Sequence, residues 1–321
     1  MVCSNQEEKN SPINNAKWQL GGRTGHIPVK GGKVFYRIYG EDKPGIPLIF
    51  IHGGPGHNSA TFFRTTPLAN DRPVVYYNQL GSNGSEIDEE CQSVEKLKDL
   101  FTIERFHDEL ETVIEYFGFK EYVLAGHSWG TMLAVEFAGT KKAEGLKGLV
   151  LAGPFLNVDL WLLDAKRLIE SLPDGDEKWQ VVKESESSGN YTKAYEEINS
   201  IYSNTFFNKI EGADAPSPDE PDKQIIDGFD VYNHMWGPTE YSCTGLLQGH
   251  DVTKYLGDLV VPVLYISGQY DSGTAAAANY YSTLTPNSKV VVVQGTAHET
   301  PRENPEEFMK AVREFFSELE S

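Results

Sequence analysis

The sequence predicts an α/β protein: a mostly parallel, doubly wound sheet interrupted by an inserted, mainly helical lid. Three observations predict it. Short continuous apolar runs, the pattern of strands covered on both faces, alternate with segments of helical spacing. The alternation stops from residue 154 to about 250 and resumes afterwards. A glycine-bracketed serine, Gly126-His127-Ser128-Trp129-Gly130, stands where a strand runs into a helix.

In chain order, residues 1–16 form a polar leader without the apolar stretch of a secretory signal, and they read as disordered. Residues 27–30 and 33–39 are strand candidates joined by a Gly31-Gly32 turn, and they supply an antiparallel sheet edge. Residues 47–52 (Pro-Leu-Ile-Phe-Ile-His) and 73–77 are apolar runs suited to covered strands. Residues 101–117 carry apolar side chains at helical spacing and lead into a short strand at 122–125. A helix follows from Ser128 to Gly139, then a strand at 149–152. The stretch 154–250 is rich in Trp, Tyr and acidic residues, is helical in pattern, and is broken by a loop-like segment at 212–218. Strands at 262–267 and 289–293, a helix at 275–284 and an amphipathic helix at 305–319 complete the pattern. The expected organisation is a core of 17–153 plus 251–321 and a cap of 154–250.

Composition narrows the function. The chain of 321 residues is 39% hydrophobic, ample for one large core and a subdomain. Its 47 Asp and Glu against 28 Lys and Arg give a formal charge of −19, which repels phosphate backbones and anionic membranes. Nucleic-acid and membrane partners are not expected. Cys3, Cys91 and Cys243 lie far apart, cannot all pair and lack metal-ligand spacing, so a reducing, cytoplasmic setting fits. Asn83-Gly84-Ser85 and Asn190-Tyr191-Thr192 match a glycosylation sequon by chance in that setting. No metal cluster or phosphate-binding loop is visible, and no cofactor is expected.

Gly-x-Ser-x-Gly after an apolar strand is the setting in which a strained turn lifts a serine hydroxyl above the carboxyl edge of a sheet. A serine hydroxyl needs a base to take its proton, and that base needs an acid to orient it. Asp271, just past the strand candidate at 262–267, is the acid expected at that edge, with Asp251 and Asp258 as rivals. His298 follows the last strand candidate and is the expected base. His52 belongs to another loop, His127 adjoins the nucleophile with its side chain pointing elsewhere, and His234 and His250 belong to the lid. The expected oxyanion donors are the backbone N–H of Trp129 and that of Gly54 in His52-Gly53-Gly54-Pro55-Gly56.

The two glycine motifs together, with Tyr77-Asn78-Gln79-Leu80-Gly81, Met235-Trp236-Gly237-Pro238-Thr239-Glu240-Tyr241, Gly268-Gln269-Tyr270-Asp271 and His298, resemble the proline iminopeptidase family of α/β-hydrolases and its L-amino-acid amidase relatives. The resemblance spans most of the chain. It implies an α/β-hydrolase fold and release of N-terminal residues by a serine aminopeptidase. It also implies that Glu240 binds the free amino group, which requires an opposite charge once desolvated. Trp236 in the same segment is a further candidate for substrate binding, and Trp161 and Tyr232 add to a lid rich in aromatics. The family's second amine-binding Glu, directly after the acid, is here Ser272, and Glu299 is a candidate replacement. Asn78, Leu80 and Thr131 also depart from the pattern, as in a divergent branch.

The leading expectation is hydrolysis of an N-terminal aminoacyl amide in a small peptide or amino-acid amide or ester. A second is hydrolysis of a small amide, ester or lactone metabolite, which Ser272 and the aromatic lid motivate. A noncatalytic ligand-binding relative is the third, opposed by the intact set Ser128, Asp271 and His298.

Overall fold

Adjacent apolar residues along each central strand turn to opposite faces, and both faces are covered. The computed structural model describes residues 22–141, 143–209, 225–226 and 229–321. The leader, Cys3 and the segment 212–218 lie outside the described residues. The strands are β1 (Arg23–Val29), β2 (Gly32–Tyr39), β3 (Leu48–Ile51), β4 (Val74–Asn78), β5 (Glu86–Ile87), β6 (Tyr122–His127), β7 (Leu146–Ala152), β8 (Ile225–Ile226), β9 (Phe229–Asp230), β10 (Val263–Gly268) and β11 (Ser288–Val293). One sheet runs in the order β1-β2-β4-β3-β6-β7-β10-β11, with β5 added to β2, while β8 and β9 form a separate hairpin. Pairings of β1 with β2 and of β2 with β4 and β5 are antiparallel, and those from β4 to β11 are parallel.

The helices are α1 (Val94–Leu100), α2 (Ile103–Phe117), α3 (Trp129–Thr140), α4 (Val158–Glu170), α5 (Gly175–Ser188), α6 (Lys193–Tyr202), α7 (Val231–Met235), α8 (Ala275–Leu284), α9 (Thr300–Glu303) and α10 (Pro305–Leu319). Ile49, Ile51, Leu124 and Leu149 pack with Phe106 of α2 and Met132 of α3 on one face. Their neighbours Leu48, Phe50, Val123 and Val150 pack with Phe308, Val312 and Phe316 of α10 on the other. This double burial is why these strands read as unbroken apolar runs rather than alternating ones. Helices α4 to α7 intervene between β7 and β10, and part of that insert has its own core of Ala165, Ile169, Val182, Tyr195, Ile198, Tyr202, Phe206 and Tyr241.

Local physics moves some boundaries. The strand expected from residue 27 begins at Arg23, because the polar run Arg23 to His26 takes strand geometry by pairing with Ile38 to Phe35 rather than from its own pattern. The hairpin turn falls at Lys30-Gly31 instead of Gly31-Gly32. The helix expected at 101–117 is α2, which starts only at Ile103 because Thr102 caps it by accepting from Arg105 N–H, and Gly118 ends it at φ 63°; the separate helix α1 precedes it. A 3₁₀ segment, Ser59–Asn70, follows the glycine-rich loop after β3, its start capped by the Asn58 side chain.

Candidate active site

Between β6 and α3 a single residue, Ser128, makes the turn from strand to helix, and its backbone sits at φ 53° and ψ −123°. That conformation is costly for an L-residue and persists only where its surroundings enforce it. The enforcement is backbone crowding. A Cβ on Gly126 would stand 2.3 Å from the Gly130 carbonyl oxygen, and one on Gly130 would stand 2.1 Å from that of Ile51. Both bracketing glycines are therefore steric requirements of the turn. Gly53 is a third, since its Cβ would lie 2.9 Å from that of Ser128.

Asp271 and His298 meet at the same carboxyl edge of the sheet, after β10 and β11. His298 Nδ1 lies 2.6 Å from Asp271 Oδ1, and both side chains are fully buried. The Gly268 N–H donates to Asp271 Oδ2 at 3.0 Å and the Gly273 N–H to Oδ1 at 2.6 Å. Burial pushes the Asp271 carboxyl above its ordinary range, against those two donors, and holds the His298 imidazole below its own. The imidazole is thereby kept neutral, the form a proton acceptor needs. Its Nε2 is buried without a hydrogen-bond partner, and no hydrogen bond joins it to Ser128 in this structure. Such a contact commonly tightens only once substrate is bound.

Gly153, unmarked by any motif, makes room for this pair. It follows β7 at φ 54°, and a Cβ there would come within 2.5 Å of His298 Cε1. His127 does not point away, as its position beside the nucleophile suggested. Its Nε2 lies 2.9 Å from the His298 carbonyl oxygen, so that nitrogen carries the proton and props the loop of the candidate base. The remaining residues weighed for these roles are occupied elsewhere. Asp251 caps Thr253 through its N–H and hydroxyl at 2.8 and 2.6 Å, and Asp258 is exposed at the end of the 3₁₀ turn Thr253–Asp258. His234 pairs with the Phe101 carbonyl at 3.1 Å and His250 with Glu136 Oε2 at 2.8 Å.

The two expected oxyanion donors are tied together by Gln79. The Gln79 N–H donates to His52 Nε2 at 2.9 Å, which leaves Nδ1–H of His52 to donate to the Gly53 carbonyl at 2.8 Å. Burial lowers the His52 imidazole to about 3, so the ring stays neutral in this role. The Gln79 side chain donates to the His52 carbonyl at 2.9 Å and accepts from the Trp129 indole N–H at 3.0 Å. The Gly54 loop and the Trp129 turn are thus held in one network. Trp129 opens α3, so its amide is among those with no acceptor inside the helix. Gly54 adopts φ 106°.

A cavity with about 340 Å³ of empty space opens onto Ser128 and Gly54. Its other walls include His57, Phe207, Tyr232 and two carboxylates, Glu240 and Glu299. The Tyr232 hydroxyl donates to Glu240, whose main-chain oxygen accepts from the Trp161 indole N–H at 2.9 Å. The Thr61 hydroxyl donates to Glu299. Among the described residues no lysine or arginine lines the walls, and burial lowers His127 as it does His298. The two carboxylates supply acceptors of the kind that a cation requires. Trp236 is not one of the walls. Its indole N–H, once buried, needs an acceptor and finds the Thr239 carbonyl at 2.7 Å, which packs the ring edge-on against Phe155 and shapes the segment carrying Glu240. The Ser272 hydroxyl is buried with no partner. Larger hollows of about 1110 and 1020 Å³ lie elsewhere, and their walls hold no serine, cysteine or histidine.

Among the described residues no group of three His, Cys, Asp or Glu is placed to hold a metal, and no helix is long and apolar enough to cross a membrane.

Comparison with known proteins bears on the family and the fold. A family model of the α/β hydrolase fold matches residues 46–305. A proline iminopeptidase of Heyndrickxia coagulans is 32% identical over 295 residues, covering 92% of this chain and 99% of that one. The crystal structure of a Mycobacterium smegmatis proline iminopeptidase superposes with a TM-score of 0.78 at 26% identity, covering 92% of this chain and 98% of that one. The crystal structure of VinJ superposes at 0.80 with 28% identity, covering 92% and 99%.

Proposed function

The chain belongs to the proline iminopeptidase family of α/β-hydrolases, and from that premise we propose that it cleaves an N-terminal aminoacyl amide bond through an acyl-enzyme on Ser128. The observation that carries the reading is a cavity that joins a strained serine to two carboxylates with, among the described residues, no lysine or arginine.

The substrate's free ammonium sits between Glu240 and Glu299, which places the carbonyl of the same residue over Ser128. Ser128 Oγ attacks that carbonyl while His298 Nε2 takes its proton, and Asp271 fixes the tautomer with Nδ1–H directed at the carboxylate. The oxyanion of the tetrahedral intermediate is stabilised by the N–H groups of Gly54 and Trp129, which are worth on the order of 3 kcal/mol per donor. Collapse breaks the C–N bond, and the departing amine takes the proton from His298. Water then attacks the acyl-enzyme, giving its proton to His298, and the released carboxylic acid leaves Ser128 protonated again. The residues of the insert, 154–250, act as a cap that encloses the acyl group.

Prolyl, alanyl and phenylalanyl arylamides, each with a free and with an acetylated amine, test the reading. Turnover of at least one free-amine substrate and rejection of its acetylated form is the expected result. Brisk hydrolysis of blocked esters with no turnover of any free amine contradicts it. That outcome favours a small-ester or lactone substrate, the reading to which the uncharged Ser272 points.

A further inference from the structure

The insert reaches the candidate acid and base at two adjacent carbonyls. After α6 the chain runs into one turn of π-helix, Ser203–Phe207. Such turns are rare and concentrate at functional sites. The Phe206 carbonyl accepts the N–H of Ser272 at 3.0 Å, and the Phe207 carbonyl accepts the N–H of Glu299 at 3.1 Å. Ser272 directly follows Asp271, and Glu299 directly follows His298. The Phe207 ring lies 4.6 Å from the His298 ring, centroid to centroid, and walls the cavity.

One carboxylate completes the link. Glu303, at the end of α9, accepts the Ala297 N–H on Oε2 at 2.6 Å and the Lys209 N–H on Oε1 at 3.0 Å. Ala297 precedes His298, and Lys209 lies two residues beyond Phe207. His298 is therefore bracketed: the amide before it is tied to the insert through Glu303, and the amide after it is tied directly to Phe207. Burial holds the Glu303 carboxyl above its ordinary range, and the two N–H donors pull it back.

We infer that Glu303 is a positioning residue that couples the π-turn of the insert to the placement of His298, so that the insert sets the proton acceptor as well as enclosing the substrate. The inference rests on the reading of Ser128 and His298 given above. A misplacement of about 1 Å in a reacting group costs on the order of 100-fold in rate. Loss of the bridge is therefore felt in the chemical step, while the carboxylates of the cavity remain in place.

The test is the rate constant for labelling Ser128 with a small fluorophosphonate, followed by intact mass, with the end point measured in the same experiment. Glu303→Ala is expected to lower the rate constant about 10- to 100-fold at an unchanged end point of one label per chain, and to lower kcat with little change in KM. Glu303→Gln keeps one acceptor oxygen and is expected to recover part of the loss; it carries the test if the alanine variant does not fold. A rate constant within twofold of wild type in the folded variants overturns the coupling. So does a loss confined to the end point, since that reports misfolded chains rather than a displaced imidazole. A folded wild type that takes no label overturns the reading of Ser128 itself, a result distinct from labelled variants that match wild type.

Discussion

The two sides of the cavity are built by different physics. On the core side, Gly53, Gly126, Gly130 and Gly153 stand where any Cβ would meet backbone, the Ser128 side chain or the His298 ring within 3 Å. Position there is set by close approach of main chains, and little tolerance remains. On the insert side, Tyr232 and Glu240 are placed by side-chain hydrogen bonds and ring contacts. Such contacts can be exchanged without moving the sheet. The comparison teaches that the chemistry is written in the backbone and the choice of ligand in side chains.

The strongest way to break this contrast is to add one methyl group on the core side. Gly130→Ala places a Cβ against the Ile51 carbonyl oxygen, with backbone on both sides of the clash. The expected outcome is a loss of stability on the order of 4 kcal/mol, read by urea unfolding, together with loss of hydrolysis. A variant that unfolds like wild type contradicts the account of the turn. A change on the insert side sharpens the contrast from the other direction. Glu240→Gln keeps the shape and removes a charge-assisted contact worth about 1.5–3 kcal/mol, so kcat/KM for free-amine arylamides is expected to fall about 10- to 100-fold, mainly through KM. Glu299→Gln is expected to act in the same direction. Hydrolysis of an N-blocked ester should be unmoved by either change, and an equal loss on both substrate classes would show that these carboxylates do not bind the amine.

The same contrast governs what the sequence made legible. The strands of the central sheet could be read because both their faces are buried, and α8 and α10 fall at the expected residues. Ser128 stood out because its turn demands glycine on both sides, and glycine is visible as a letter. Gly153 makes an equal steric demand, yet it stands alone after a strand, and nothing in one dimension says that an imidazole will lie against it. Gln79 falls within a segment of family resemblance, but its role depends on three hydrogen bonds to two distant residues, His52 and Trp129. Phe207 and Glu303 act through main-chain hydrogen bonds across the fold, which leave no pattern along the chain. Trp236 was legible as part of a motif and not as a wall, because its indole N–H takes its acceptor from the same segment. The polar start of β1 escaped notice because its strand geometry comes from its partner.

All of this depends on Ser128 being the nucleophile that His298 activates. The most direct measurement is the site of covalent labelling by a fluorophosphonate, mapped by peptide mass spectrometry in wild type, Ser128→Ala and His298→Ala. The account predicts one adduct on Ser128, none in Ser128→Ala, and a labelling rate at least about 1000-fold lower in His298→Ala. A folded wild-type chain without adduct, or an adduct that persists in Ser128→Ala, would contradict it.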